Sequence, residues 1–317
     1  MAEQNSPAKI MDSGFSDWKS TMLPDLTGKR FVITGGNSGI GFDAAKLLTK
    51  AGADIVLACR SPDKAETAAN ELRQATTGQV DVVALDLSDL SSVRSAAEEL
   101  RSRYAKIDAL VNNAGVMQTP QLRTVDGFEM QFGTNHLGHF LWTGLLIDLV
   151  AAAEGRVVTL SSIAHLNGSI DFDDLMGEKN YSPSRAYCQS KGANLMFALD
   201  LDRRLLAAGS KAISIGCHPG YSKTNLQSTG PTGLFAALYK VTNLLLAQSP
   251  TDGALPTVLA AAGNEAKRGA FYGPQKFGET RGPIGDAKVA PYILDQAVAD
   301  RLWEESEKLV GFQWDLG

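Results

Sequence analysis

Short apolar runs rich in Val and Ile recur along the chain at Phe31–Thr34, Ile55–Cys59, Val80–Leu85, Ala109–Val111, Val157–Leu160 and Ala212–Gly216, with a shorter candidate at Ala270–Tyr272. They are continuous rather than alternating, as strands buried on both faces are. Between them lie stretches with helical spacing of apolar residues, at Phe42–Ala51, Lys64–Thr76, Leu90–Tyr104 and Ala186–Ala208. Strands alternating with helices predict right-handed crossovers and an α/β fold: a doubly wound, seven-stranded, mainly parallel sheet with helices on both faces. A last pattern, Asp295–Val310, reads as a helix stopped by Gly311.

Two regions break this rhythm. Residues 1–26 read as an N-terminal extension ahead of a single domain over 27–317. Residues 225–288 combine an apolar helical face (Leu234, Phe235, Leu238, Val241, Leu244, Leu245, Leu246) with a Gly/Pro-rich loop over Gly273–Gly285. Core helix and substrate lid over a hydrophobic ligand are equally good readings of that face.

With 317 residues, 44% of them hydrophobic, the chain can bury one large core. Its net charge of −5 is spread without any basic tract, which argues against a nucleic-acid partner. No apolar stretch reaches the roughly 20 residues that span a bilayer, and Met1 to Pro24 lack the order of a signal peptide. A cytoplasmic protein without membrane insertion is expected. Cys59, Cys188 and Cys217 are too scattered for a disulfide framework or a metal site and read as fillers.

Candidate chemistry begins at Tyr187-Cys188-Gln189-Ser190-Lys191. On a helix, Tyr187 and Lys191 share one face. A neighbouring ammonium favours the phenolate, so a phenol with an ordinary pKa of about 10 becomes a usable acid or base. Upstream, the first strand runs into Thr34-Gly35-Gly36-Asn37-Ser38-Gly39-Ile40-Gly41 and then a helix. Such a turn lets a pyrophosphate approach the backbone and the helix N-terminus, which makes the doubly wound fold Rossmann-type. Its spacing is not the common dinucleotide fingerprint. The second strand ends Ala58-Cys59-Arg60, with an arginine where an NAD site carries an acid. A guanidinium suits a 2′-phosphate, so NADP(H) is favoured over NAD(H). Asp86 could accept from an adenine amino group or simply cap a turn.

These motifs resemble the short-chain dehydrogenase/reductase family, in the branch with TGxxxGxG. Asn112-Asn113-Ala114-Gly115, Asn135 within Thr134-Asn135-His136-Leu137-Gly138, Ser161-Ser162, and Pro219-Gly220 with Thr224 add to it. The resemblance is strong over roughly residues 27–225. Within the family, Leu57-Ala58-Cys59-Arg60, Asn135 to Phe140, Ser161 to His165 and His218-Pro219-Gly220 are similar to the retinol dehydrogenase-like group. The N-terminus lacks the apolar anchor of that group's membrane-bound members, so a hydrophobic alcohol/carbonyl pair is implied rather than a retinoid.

The resemblance implies an enzyme with four working residues. Tyr187 is the acid/base. Lys191 lowers its pKa and bonds the nicotinamide ribose. Ser162, chosen over Ser161 by alignment with the family motif, donates to the substrate oxygen. Asn135 holds a water linking Lys191 to solvent. Cofactor contacts follow by position: Thr34, Gly35, Asn37, Ser38, Gly39, Ile40 and Gly41 at the phosphate turn, Arg60, Asp86, Leu87, Asn113, Ala114 and Gly115 along the adenosine side, Tyr187 and Lys191, then Pro219, Gly220, Ser222 and Thr224 by the nicotinamide. Family members also pair through helices beside the active site, so a homodimer or homotetramer is an expectation.

Other readings compete. His136 and His139 could ligate a metal, but packing is the better reading without a third ligand, as it is for His165 and His218. No GxSxG elbow supports an esterase. A non-catalytic cofactor sensor on the same fold is opposed by the intact Ser162, Tyr187 and Lys191. A sugar-nucleotide enzyme of the extended branch is opposed by the three residues between the first glycines of the turn.

Overall fold

The computed structural model describes residues 6–76, 78–221 and 249–316. A short strand β1 (Ala8–Lys9) precedes the main series: β2 (Arg30–Thr34), α1 (Gly39–Lys50), β3 (Asp54–Cys59), α2 (Pro62–Arg73), β4 (Val80–Ala84), α3 (Leu90–Arg103) and β5 (Ala109–Asn112). Then come α4 (Met130–Phe132), a π-helical turn (Gly133–Leu137), α5 (Gly138–Ala152), β6 (Arg156–Leu160), α6 (Pro183–Ala207) and β7 (Ile213–Cys217). The described chain closes with α7 (Pro250–Ala262), β8 (Phe271–Lys276), β9 (Arg281–Asp286), β10 (Lys288–Val289) and α8 (Gln296–Val310). Gly311 ends α8 in the left-handed region at φ 58°, the stop read from the sequence.

The main sheet has eight strands in the order β4-β3-β2-β5-β6-β7-β8-β9, not the seven expected. All pairs are parallel except the last, where β9 runs antiparallel to β8. The extra strand falls in the segment read as a Gly/Pro-rich loop. Pro283 is tolerated there because β9 is an edge strand, and the register shift between Pro274 and Lys276 absorbs the irregularity on β8.

Two apolar cores sit on the two faces of the sheet. One gathers α3, α5, α6 and α8, the other α1, α2 and α7. Helix α5 carries no amphipathic stripe and has no counterpart among the helical patterns of the sequence. Its residues are apolar all round because it is covered on the side away from the sheet as well. Phe312 and Trp314 press so close to it that a Cβ at Gly144 would lie 2.5 Å from the Phe312 ring.

The N-terminal segment is tied to the sheet's far edge. β1 pairs with β10, Ser13 Oγ donates to Asp286 at 2.6 Å, and the buried Trp18 indole donates to Glu265 at 2.9 Å.

Strand order reverses between β2 and β5. In such a sheet the crevice beyond the strand C-termini at that switch is where ligands bind. Among the described residues, the candidate cofactor and catalytic residues lie beyond the C-terminal ends of β2 to β7 or on the helical segments that follow.

Candidate active site

The glycine turn is braced from β5. Thr34 Oγ1 accepts from the backbone N–H groups of Asn113 and Ala114 at 2.9 and 3.0 Å, and Asn113 Nδ2 donates to Thr34 O at 2.7 Å. The fit leaves no room at Gly41, where a Cβ would lie 2.4 Å from Asn113 Nδ2 and 2.8 Å from Gly35 O. At the entrance of α1 the Ser38 side chain makes no capping bond, and the first turn holds no acidic residue. Its leading N–H groups therefore remain for an anion. A tight backbone cradle and an uncapped helix start fit the pyrophosphate of a dinucleotide.

Arg60 is exposed just past β3. Thr34 and Ala58 are paired across β2 and β3, which sets Arg60 one strand over from the turn and two residues beyond that rung. No carboxylate among the described residues pairs with it. Asp86 accepts from Ser88 N at 2.9 Å and Ser88 Oγ at 2.6 Å through Oδ1, the turn-capping arrangement. Leu87 is buried and packs on Gly138 at the start of α5. Cys59 is buried beside the N–H groups of Gly35, Gly36 and Asn37, and burial pushes its thiol up to about 11.

At the end of β6 the two serines separate. Ser161 Oγ donates to Lys191 O at 2.7 Å and is committed to α6. Ser162 Oγ accepts from Ala164 N at 3.2 Å, which leaves its hydroxyl proton to be donated elsewhere. Opposite, α6 carries Tyr187 and Lys191 one turn apart, with Tyr187 half-buried and Lys191 buried. Lys191 Nζ donates to Leu160 O at 3.0 Å. Burial lowers its pKa to about 8, so the ammonium persists at neutral pH.

Asn135 sits in the π-helical turn and is buried. Such widened turns re-aim a side chain. Here Asn135 Oδ1 accepts from Val116 N at 2.8 Å while Nδ2 donates to Val116 O at 2.9 Å and to Ser190 Oγ at 3.0 Å. Ser190 Oγ in turn donates to Tyr187 O at 2.9 Å. The sequence reading gave Ser190 no role, although its position three residues after Tyr187 was a usable signal.

His136 lies among Phe132, Phe140 and Phe197, as packing required. His139 departs from that expectation and is hydrogen-bonded at both ring nitrogens, to Thr34 Oγ1 at 2.8 Å and Asn135 O at 2.9 Å. His165 and His218 both pack on Phe271. His165 Nδ1 also donates to Ser162 O at 2.6 Å, and Gly220 N donates to His218 Nδ1 at 3.2 Å. Pro219 and Gly220 follow β7 beside these groups. Ser222, Thr224 and the apolar face from Leu234 to Leu246 lie outside the described residues. Among the described residues no group of His, Cys, Asp and Glu is placed to hold a metal, and no helix is long and apolar enough to cross a membrane.

The sequence pattern of the family described as short chain dehydrogenase matches residues 29–232. Human retinol dehydrogenase 13 is 41% identical over 296 residues, covering 91% of this chain and 86% of its own. Mouse retinol dehydrogenase 14 is 38% identical, covering 90% and 87%. Among solved structures, an uncharacterized protein from Mycobacterium paratuberculosis is 39% identical with a TM-score of 0.79, covering 94% of this chain and 99% of its own. The RhlG structure from Pseudomonas aeruginosa, 23% identical with a TM-score of 0.62 over 78% of this chain and 94% of its own, shares the fold.

Proposed function

The chain belongs to the short-chain dehydrogenase family, and from that premise we propose that it interconverts a hydrophobic alcohol and its aldehyde or ketone with NADP(H), using Tyr187 as acid and base. It is an NAD(P)-dependent oxidoreductase of the retinol dehydrogenase-like kind. One observation carries the finer reading. Lys191 is anchored on Leu160 O, two residues before Ser162, and stands one helical turn from Tyr187, so the cation sits at the end of β6 on the helix that carries the phenol.

The dinucleotide, when bound, supplies the hydride acceptor or donor. The chain does the rest. In the reducing direction Tyr187 gives its proton to the substrate oxygen, and in the oxidising direction it takes one back. Ser162 donates its free hydroxyl proton to the same oxygen and stabilises charge developing there. The Lys191 ammonium favours the phenolate, and this support fades as pH rises through about 8. Asn135 fixes the loop at Val116 against the Tyr187 helix and offers its remaining lone pair to a water on the path from Lys191. Thr34 to Gly41 with Asn113 to Gly115 hold the pyrophosphate and adenosine. Arg60 supports NADP(H), because a forked cation with no carboxylate partner among the described residues suits a 2′-phosphate. The hydrophobic substrate class rests on the names of the relatives. Three free cysteines fit a reducing, cytoplasmic setting.

The test is loss of NADPH absorbance against a panel of aliphatic and aromatic aldehydes and ketones, repeated with NADH and with Tyr187→Phe. We expect kcat/KM to favour NADPH. Tyr187→Phe should bind dinucleotide normally and lose about 10²–10⁴ in turnover. Parental turnover in that variant removes the tyrosine from the mechanism, and preference for NADH removes the role of Arg60. Binding without turnover of any carbonyl favours the cofactor-sensor reading.

A further inference from the structure

We propose that His139 is a positioning residue that ties the dinucleotide turn to the segment carrying Asn135, so that the two parts of the crevice are set by one continuous chain of hydrogen bonds. The hydrogen positions follow from the partners. Asn135 O can only accept, so the His139 Nδ1 at 2.9 Å carries the proton. Thr34 Oγ1 already accepts from Asn113 N and Ala114 N, so its own proton goes to a lone pair. The nearer candidate is His139 Nε2 at 2.8 Å, against Val111 O at 3.4 Å. The imidazole is therefore neutral, in the Nδ1–H tautomer, with neither nitrogen left over.

Burial agrees with this assignment. His139 is 1% exposed, and burial lowers its pKa to about 4. It does not touch the open crevice, so its action is through others. On one side it holds Thr34, whose oxygen fixes two amides of the Asn113–Ala114 loop. On the other it holds the main chain of Asn135, whose side chain reaches Ser190 and through it the backbone of Tyr187. His136, one turn away, has ring neighbours on three sides. His139 has none among the described residues, so filling space does not account for an imidazole there. A hydrocarbon ring would leave a buried hydroxyl with only the longer contact to Val111 O, at 3.4 Å, and a buried carbonyl without this donor.

The proposal rests on the reading of Asn135 and Tyr187 given above, and its test keeps the two apart. His139→Phe keeps a ring and removes both bonds. His139→Gln keeps an N–H donor and an oxygen, so by turning its amide it can serve both partners. The first readout is amide hydrogen exchange of Asn113 and Ala114 in the ligand-free protein. The second is the dissociation constant for NADPH by fluorescence titration, and the third is kcat at saturating dinucleotide.

In His139→Phe we expect exchange at both amides to accelerate and NADPH affinity and kcat each to fall about tenfold, the worth of one buried hydrogen bond. His139→Gln should recover most of each loss. Thr34→Val cuts the same chain at its next link. Its effect on exchange and affinity should not add to that of His139→Phe. Parental exchange and affinity in His139→Phe overturn the proposal, as does a Gln variant no better than Phe. Should His139→Phe fail to fold, the smaller His139→Leu, which also removes both bonds, takes its place in the cycle with Thr34→Val: additive losses overturn the coupling and non-additive losses support it. An active Tyr187→Phe would defeat the mechanism while leaving the exchange result on His139 to be judged alone.

Discussion

At the dinucleotide end of the crevice, His139 spends both ring nitrogens on Thr34 and Asn135. At the end of β7, the equally buried His218 spends one. Its Nδ1 accepts from Gly220 N at 3.2 Å, so Nε2 carries the proton. That proton faces Glu279 Oε2 at 3.4 Å in a geometry that satisfies neither atom. The other Glu279 oxygen accepts from Lys288 N at 3.0 Å. One end is closed by bonds and the other by proximity. In the function proposed above, the first presents a fixed cradle to a phosphate that is the same in every turnover. The second lies beside Pro219 and Gly220, which the proposed function sets by the reacting end of the cofactor. An unmade buried bond costs free energy, about 1–3 kcal/mol, and at the second end His218 Nε2 and Glu279 Oε2 carry that cost face to face.

Acid should act on the buried histidines, His139 at the bonded end among them. Burial lowers His139 and His165 to about 4 and His136 to about 3, from 6.5. Between about pH 4 and 6.5 the unfolded chain binds more protons than the folded one. Stability is therefore complete above that window and lost as pH falls through it, by up to about 1.4 kcal/mol per pH unit for each histidine. Urea midpoints from pH 7 to 5 should drop steeply, and His139→Gln should remove about one proton from the slope. An unchanged slope in that variant would mean His139 is not held neutral, and the contrast between the two ends would lose its first member.

Gly41→Ala probes the same end sterically. The added carbon meets Asn113 Nδ2 at 2.4 Å and a backbone oxygen, Gly35 O, at 2.8 Å. The amide can swing aside only by giving up its bond to Thr34 O. We expect a loss of about 1–3 kcal/mol in stability and a larger proportional loss in NADPH affinity than in substrate KM. Melting curves with and without NADPH read both. A parental response would show the cradle to be soft.

How far these ends were legible in the sequence follows the same division. The turn from Thr34 to Gly41 announces itself because glycine spacing is forced by backbone clashes, and the strands β2 to β7 because parallel strands buried on both faces are written as unbroken apolar runs. Tyr187 and Lys191 were singled out by their spacing on one helix face, and Ser162 by alignment with the family motif. What escaped depends on contacts between distant parts of the chain. His139 looked like filler because a histidine's bonds are invisible without Thr34, 105 residues away. Strand β9 was hidden by Gly282, Pro283 and Gly285, which read as loop until an edge position excuses them. Helix α5 was missed because burial by Phe312 and Trp314 erased the polar face that marks an ordinary helix. Glu279 sits at φ 63° on the turn between β8 and β9, where nothing in the local sequence points to His218.

The finest discrimination comes from Glu279→Gln. A carboxylate can accept from Lys288 N and from His218 Nε2 at once. An amide of the same shape can accept from only one and must turn its NH2 toward the other. If the 3.4 Å contact is mere proximity, the change forfeits little and relieves the burial of a charge. Stability should then stay within about 1 kcal/mol of the parent by denaturant midpoint, with Gly220 still bonded to His218 and turnover nearly intact. A loss beyond about 2 kcal/mol would mean that two donors had been set face to face where a bond once stood. The β7 end would then be as fully bonded as the glycine-turn end, and the difference between them would have to be sought in the residues after Tyr221.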